Sequence, residues 1–171
     1  MADDPNGKLL IDWLKSRTPD DWHKVAADYN WDNGLAPLDW IVSQPLCDRA
    51  TALLVFWRAV PDNVLRYASE AEAKADSADG EFRLCVTIAA NFRAGFYRRS
   101  EITFSAEDEP VFAYARWRSW EDEHPGGVLK TLPDMHESID GRIVEPESAE
   151  FQEGYPKVLW PLVWPASFRA N

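Results

Sequence analysis

Residues 29–57 read YNWDNGLAPLDWIVSQPLCDRATALLVFW. Three tryptophans (Trp31, Trp40, Trp57), one cysteine (Cys47) and three aspartates (Asp32, Asp39, Asp48) make the stretch either a site of chemistry or a self-packing knot. Its second half decides the fold. Ala52, Leu53, Leu54, Val55, Phe56 and Trp57 run without a polar gap, so a helix from about Cys47 to Ala59 is apolar around most of its circumference. That is the pattern of a central buried helix. Asp48 stands where a cap or first-turn acid belongs. Upstream, Gln44-Pro45 forces a break, because the residue before proline is driven out of the α region. Leu35, Leu38, Ile41 and Val42 mark a short helix that tolerates Pro37 in its first turn. In "NWDNG", Asn33-Gly34 accepts positive φ and Asp32 is expected to bond neighbouring amides.

Working outward, Leu9, Leu10, Trp13 and Leu14 repeat at helical spacing and predict a helix from about Gly7 to Ser16. In "TPDDW", Thr18 can cap, Pro19 fits the first turn, and Asp20 and Asp21 suit the positive end of the dipole. A helix from Pro19 to about Tyr29 follows. Pro61 to Ala68 is expected to continue as helix after a kink, and "SEAEAKADSADG" to be a solvated connection with nothing to bury. Phe82, Cys85, Val86, Ile88, Ala89, Phe92 and Phe96 predict an amphipathic helix from about Gly80 to Arg98. "EITF" alternates like a short strand or extended link. "DEPVFAYARWRSWEDE" reads as a further helix with Ala113, Tyr114, Trp117 and Trp120 on its apolar face, ended by "HPGG". A short strand is possible at Arg142 to Val144, before the tail "YPKVLWPLVWP". The fold class is mainly α: a single-domain helical bundle with a short strand or extended segments and an irregular aromatic C-terminal tail. Residues 1–102 form the helical part and 103–171 an extension packed on the same domain.

With 46% hydrophobic and 13% aromatic residues, the 171-residue chain can bury a core large enough to offset chain entropy. A net charge of -11 disfavours nucleic acid and anionic membranes, which need a positive footprint, and favours a basic protein as partner. "MADDPNGK" has no basic or apolar leader pattern, and the run from Ala52 stops at Arg58, far short of a span. Cys47 and Cys85 lie in apolar helical patterns, where free cysteine behaves as a small buried hydrophobe. A reducing cytoplasm without a disulfide is the expected compartment.

The chemistry-bearing residues are weighed one by one. Asp32, Asp39 and Asp48 contain the material for a carboxylate pair, which needs two groups about 5 to 9.5 Å apart in different environments. Each falls at a loop or helix start, where capping accounts for it. His23, His124 and His136 are scattered singly and no metal-ligand spacing occurs, so no metal and no cofactor are expected. Cys47 as a nucleophile would need a base, and only His23 lies upstream in the same cluster. No nucleophile elbow, P-loop or dinucleotide fingerprint is present. The knot is the stronger reading of residues 29–57.

The pattern "NWDNG", then "L-x-W-I-V-x-Q-P-x-C-D-x-x-T-A-L-x-x-F-W", resembles the bacterial helical family known as domain of unknown function 4274. Asn30, Trp31, Asp32, Gly34, Cys47, Asp48, Thr51, Ala52, Leu53, Phe56 and Trp57 carry the resemblance, which covers about His23 to Ile102 and includes "FRAGFYRRSEI". It implies a bacterial helical domain and transfers no catalytic residue; such families include stand-alone cytoplasmic proteins, among them toxin-neutralising immunity proteins. The expected function is a non-enzymatic cytoplasmic binding protein of immunity type. The alternatives are a hydrolase using carboxylates near Asp32 and Asp48, or a regulatory subunit of a larger assembly. The expected docking surface is the acidic and aromatic helix: Glu107, Asp108 and Glu109 open it, Trp117 and Trp120 anchor it, and Glu121, Asp122 and Glu123 close it.

Overall fold

Asp4 and Pro5 start the first helix two residues earlier than its apolar spacing predicts. In the computed structural model, which describes residues 4–106, 108 and 114–164, helix α1 spans Pro5–Leu14. The Asp4 side chain caps it by accepting from the Gly7 amide at 2.8 Å. The carboxylate lies so close that a Cβ on residue 7 would fall 2.0 Å from Asp4 Oδ2, which is why glycine stands there. Helix α2, Pro19–Asp28, opens on the Thr18/Asp21 capping box. Trp22 of α2 donates its indole N–H to Leu14 O at 3.0 Å, satisfying a carbonyl at the end of α1.

The chain then makes a 3₁₀ turn, Trp31–Asn33, and leaves it through Gly34 at φ 82°. Asn30, not Asp32, supplies the turn's capping oxygen, accepting from the Asp32 amide at 3.1 Å. Asp32 itself is exposed. Helix α3, Ala36–Val42, carries Pro37 in its first turn, and helix α4, Arg49–Arg58, is capped by Asp48. Every residue of α4 from Ala50 to Trp57 is buried, as its unbroken apolar run requires.

Three expectations need correction after α4. The helix does not resume at Pro61, because Val60 takes the left-handed conformation (φ 52°, ψ 62°) and only a 3₁₀ turn, Pro61–Val64, follows. Pro61 contributes to this, since it drives the preceding residue out of the α region. The charged segment is a short helix, α5 (Glu70–Ala75), capped by Ser69, and Ala73 on it is fully buried. Helix α6 runs Asp79–Arg93 and stops short of Arg98. There the amides of Gly95 and Phe96 return to Phe92 O and Asn91 O with Gly95 at φ 63°, a Schellman ending.

Beyond residue 100 the structure is extended before it is helical. "EITF" forms isolated bridges, Ile102 with Arg142 and Phe104 with Ile139, and Arg99 bridges Asp48. The strand expected at Arg142 to Val144 reduces to the one bridge at Arg142. Gly141 permits that approach, since a Cβ there would sit 2.6 Å from the Ile102 carbonyl carbon. Helix α7 is described over Tyr114–Glu123. Strands β1 (Phe151–Gln152) and β2 (Tyr155–Pro156) pair across Glu153 and Gly154, both at positive φ, the twist a two-residue hairpin favours. The hairpin docks on α2 through the Gly154 amide and Asp28 Oδ2 at 2.9 Å. A short helix, α8 (Trp160–Val163), follows, and Trp160 donates to Tyr155 O.

The later segments are part of one core. Trp57 of α4 donates its indole N–H to Met135 O at 2.9 Å, and its ring meets Trp117 of α7 edge-on with centroids 5.5 Å apart. Phe104, Leu129, Met135, Val144, Phe151, Tyr155 and Leu159 join the same buried cluster. No helix among the described residues is long and apolar enough to cross a membrane.

Cys47 and Cys85 have no solvent exposure, and burial pushes both thiols well above the usual cysteine range. In the native protein both should react with an aromatic disulfide reagent only slowly, and both should react at once in denaturant. Fast native labelling of either thiol contradicts this packing.

Candidate functional site

The motif residues at the start of α4 are occupied by structure. Asp48 is fully buried. Its Oδ1 accepts from the Ala50 amide at 3.0 Å and its Oδ2 from the Glu101 amide at 2.8 Å. The Arg49 amide donates to Arg99 O at 2.9 Å alongside. One side chain thus caps α4 and fastens it to residues 99–101. Cys47 lies against this bond with its Sγ 3.6 Å from Asp48 O, so the thiol sits in an apolar recess beside an acid, which opposes thiolate formation.

The other aspartates do not join Asp48. Asp32 is exposed on the 3₁₀ turn, and Asp39 pairs with Arg83 at 3.1 Å. Asp48 is wholly buried and held by backbone amides while Asp32 lies exposed on the surface turn, so the structure does not assemble the Asp32 and Asp48 pair. The remaining motif side chains tie loops together. Asn30 and Asn33 both reach Glu153 of the hairpin, at 3.3 and 3.5 Å, and Tyr29 donates to Gly34 O at 2.7 Å. Trp31 is half-buried.

Of the acidic helix, Glu107 and Glu109 lie outside the described residues. Trp117 and Glu121, both expected on a docking face, point inward, with exposures of 0% and 1%. The Glu121 carboxylate accepts from the Trp117 indole at 2.7 Å and from the Thr131 amide at 2.9 Å through Oε1, and from Arg118 through Oε2 at 2.5 Å. Trp117 packs between Trp57 and His136. The pair is core, one helical turn apart, and the assignment of these two residues to an interface is corrected. Trp120, Asp122 and Glu123 remain toward solvent, Asp122 with a side chain 75% exposed. Trp120 and Glu123 share a surface hollow of about 200 Å³ with Asp62, Leu65 and His124, which composition could not place because Asp62 is some sixty residues away in sequence. Asp108 belongs elsewhere, on a cavity of about 190 Å³ that His23 also lines.

His23 is a polar side chain that spacing gave no reason to bury. Its Nδ1 lies 2.9 Å from Thr51 Oγ1 inside the α2/α4 interface. Burial lowers its pKa from 6.5 to about 4, against the pull of Asp48 and Asp20 and with the push of Arg58 and Arg142. His136 is engaged with Thr131 at 2.9 Å. Among the described residues no group of three or more His, Cys, Asp or Glu is placed to hold a metal ion.

A mainly α-helical domain with its polar motif residues turned into the scaffold is the class these observations define. Residues 17–92 match the model of the family described as Domain of unknown function (DUF4274). No curated protein and no solved structure matches the chain.

Two measurements follow from the site. Asp48→Ala leaves two buried amides without an acceptor and should cost about 3 kcal/mol in denaturant unfolding. Asparagine can cap, yet its amide nitrogen cannot accept from the second N–H, so Asp48→Asn should still cost roughly 1 kcal/mol or more. Equal midpoints for wild type and Asp48→Asn would refute the two-amide role. For His23 the folded pKa is depressed, so the neutral ring's contribution is complete above pH 6.5 and is lost as pH falls toward 4. The displacement corresponds to roughly 3 kcal/mol. His23→Gln, which keeps a partner for Thr51, should lose measurably less stability than wild type between pH 6.5 and 4.

Proposed function

We propose that the protein is a non-enzymatic binding protein of immunity type, acting in the cytoplasm by holding a basic protein toxin. The observation that carries this reading is the hollow beside α7, where Asp62 and Glu123 flank the half-buried Trp120, with Asp122 exposed on the next position. The Arg116 guanidinium already stacks over the Trp120 ring at 5.1 Å, an internal precedent for a cation on this indole. A lysine or arginine entering the hollow would meet two carboxylates and an aromatic edge. The net charge of -11 supplies long-range attraction, which raises the on-rate for a basic partner. The docking surface is accordingly narrower than the whole acidic helix: Asp62, Trp120, Asp122 and Glu123 face the partner, while Trp117 and Glu121 support them from within.

The hydrolase alternative is disfavoured by the complete burial of Asp48, which leaves Asp32 without an accessible partner carboxylate. Association kinetics with a basic toxin-like protein, sought among the products of the neighbouring genes, provide the test. The wild-type rate should rise as salt falls, and Asp122→Lys with Glu123→Lys should lower it about tenfold and flatten the salt dependence. An unchanged rate moves the docking surface elsewhere, and absence of binding to any such protein removes the immunity reading.

A further inference from the structure

The turn that ends α6 and the turn that precedes α4 border an open cavity of about 680 Å³, a size that suits a small-molecule ligand. One wall is apolar. It consists of Pro45 and Leu46 before α4, and of Gly95 and Phe96 after α6. Leu46 is 62% exposed and Phe96 half-buried, so apolar surface is left facing water at this point. Gly95 has nothing within 4 Å of where a Cβ would lie, which keeps the wall open.

The other wall is cationic. Arg98 is exposed and makes no ion pair or hydrogen bond among the described residues, although the chain is strongly acidic. Most other arginines are engaged: Arg49 with Asp134, Arg66 with Asp76, Arg83 with Asp39, Arg118 with Glu121 and Arg142 with Asp20. Next to Arg98, Arg99 gives one nitrogen to Glu101 at 2.6 Å. Its Nε is buried and has no hydrogen-bond partner, since the nearest Asp48 oxygen stands 3.8 Å away. That nitrogen faces the buried Asp48 carboxylate in an ion pair, which fixes Arg99 at the edge of the cavity and leaves Arg98 as its unpaired cation among the described residues.

We propose that this cavity binds a small organic anion with an apolar body, its carboxylate or sulfonate on Arg98 and Arg99 and its body against Leu46 and Phe96. Arginine suits the head group because its planar fork meets a carboxylate or sulfonate with paired bonds. The apolar wall supplies the body's burial, and Glu101 at the rim disfavours ligands carrying more than one anionic group. The site goes beyond the toxin-binding reading and shares no residue with the α7 hollow, so either can fail without the other.

The probe is 1-anilinonaphthalene-8-sulfonate, titrated into the full chain at neutral pH and followed by its fluorescence. Saturable binding at one site is expected, displaced by octanoate. Arg98→Glu and Leu46→Asp, both at exposed positions, should each weaken it at least tenfold while leaving the unfolding midpoint in place, and Arg98→Gln should weaken it less than Arg98→Glu. N-phenyl-1-naphthylamine, the same apolar body without the sulfonate, should bind at least tenfold more weakly. Non-saturable binding, equal affinity for the uncharged probe, or affinity unmoved by Arg98→Glu and Leu46→Asp overturns the proposal.

Discussion

The Asp48 carboxylate is the constraint on which the rest of the structure depends. It lies at the start of a helix with no polar face, in a position where any polar atom must find a partner. Its two oxygens take one amide from the helix it caps and one from Glu101, more than fifty residues later in the chain. Apolar contact is non-directional: it fixes the depth of burial of α4 but not its rotation. Further hooks act along the same helix. Thr51 meets His23 of α2, and Trp57 donates to Met135 of the extension. Each hook is a buried polar group paired with a different distant segment, so a rotation or slide of α4 would break several bonds at once. A helix apolar on all sides gains a unique orientation in this way.

This arrangement also explains why the family segment and the extension are physically one body. Residues 17–92 supply α4, but the acceptor for the Trp57 indole and the second amide on Asp48 both come from beyond that segment. Trp117 closes over Trp57 from α7 and is held in place by Glu121. The boundary of sequence similarity is therefore not a boundary of packing.

What the sequence showed of this fold depended on whether the cause was local. The Thr18 cap, Asp48 as a cap, the positive φ of Gly34 and the burial of α4 all arise within a few residues, and all were legible. The misread places have partners far along the chain. Glu121 looked solvated because it sits in an acidic run, and the Thr131 amide that fixes it indoors carries no side-chain signal. Ala73 looked like part of a charged connection, since one small buried residue leaves no periodicity. Val60 is different: the following proline was a visible signal that the α conformation would end there, and a kinked continuation underweighted it. Of the acidic helix, the solvent exposure of Asp122 and Glu123 was legible from composition. The hollow that Trp120 and Glu123 share with Asp62 was not, because only the fold brings the 3₁₀ turn after α4 beside the end of α7.

Charge placement carries the same lesson into function. In a chain of net charge -11, an acidic residue on the surface needs little explanation, whereas a residue whose charge opposes the average does. Arginines whose guanidinium groups meet carboxylates restore local neutrality and serve the fold, as Arg83 does between Asp39 and Glu70. Among the described residues Arg98 has no such partner, and it lies on the same cavity as Arg99, which Asp48 and Glu101 already balance. The unbalanced positive charge at this place is therefore that of Arg98, and an anion there would meet it directly. The α7 hollow differs in kind, since there the excess is of carboxylates and the surrounding field already has the same sign. A basic partner of the kind proposed would be drawn by the whole molecule and then sorted by the hollow. An organic anion meets the opposite field, so its affinity must come from short-range contacts within the cavity, where salt screens least.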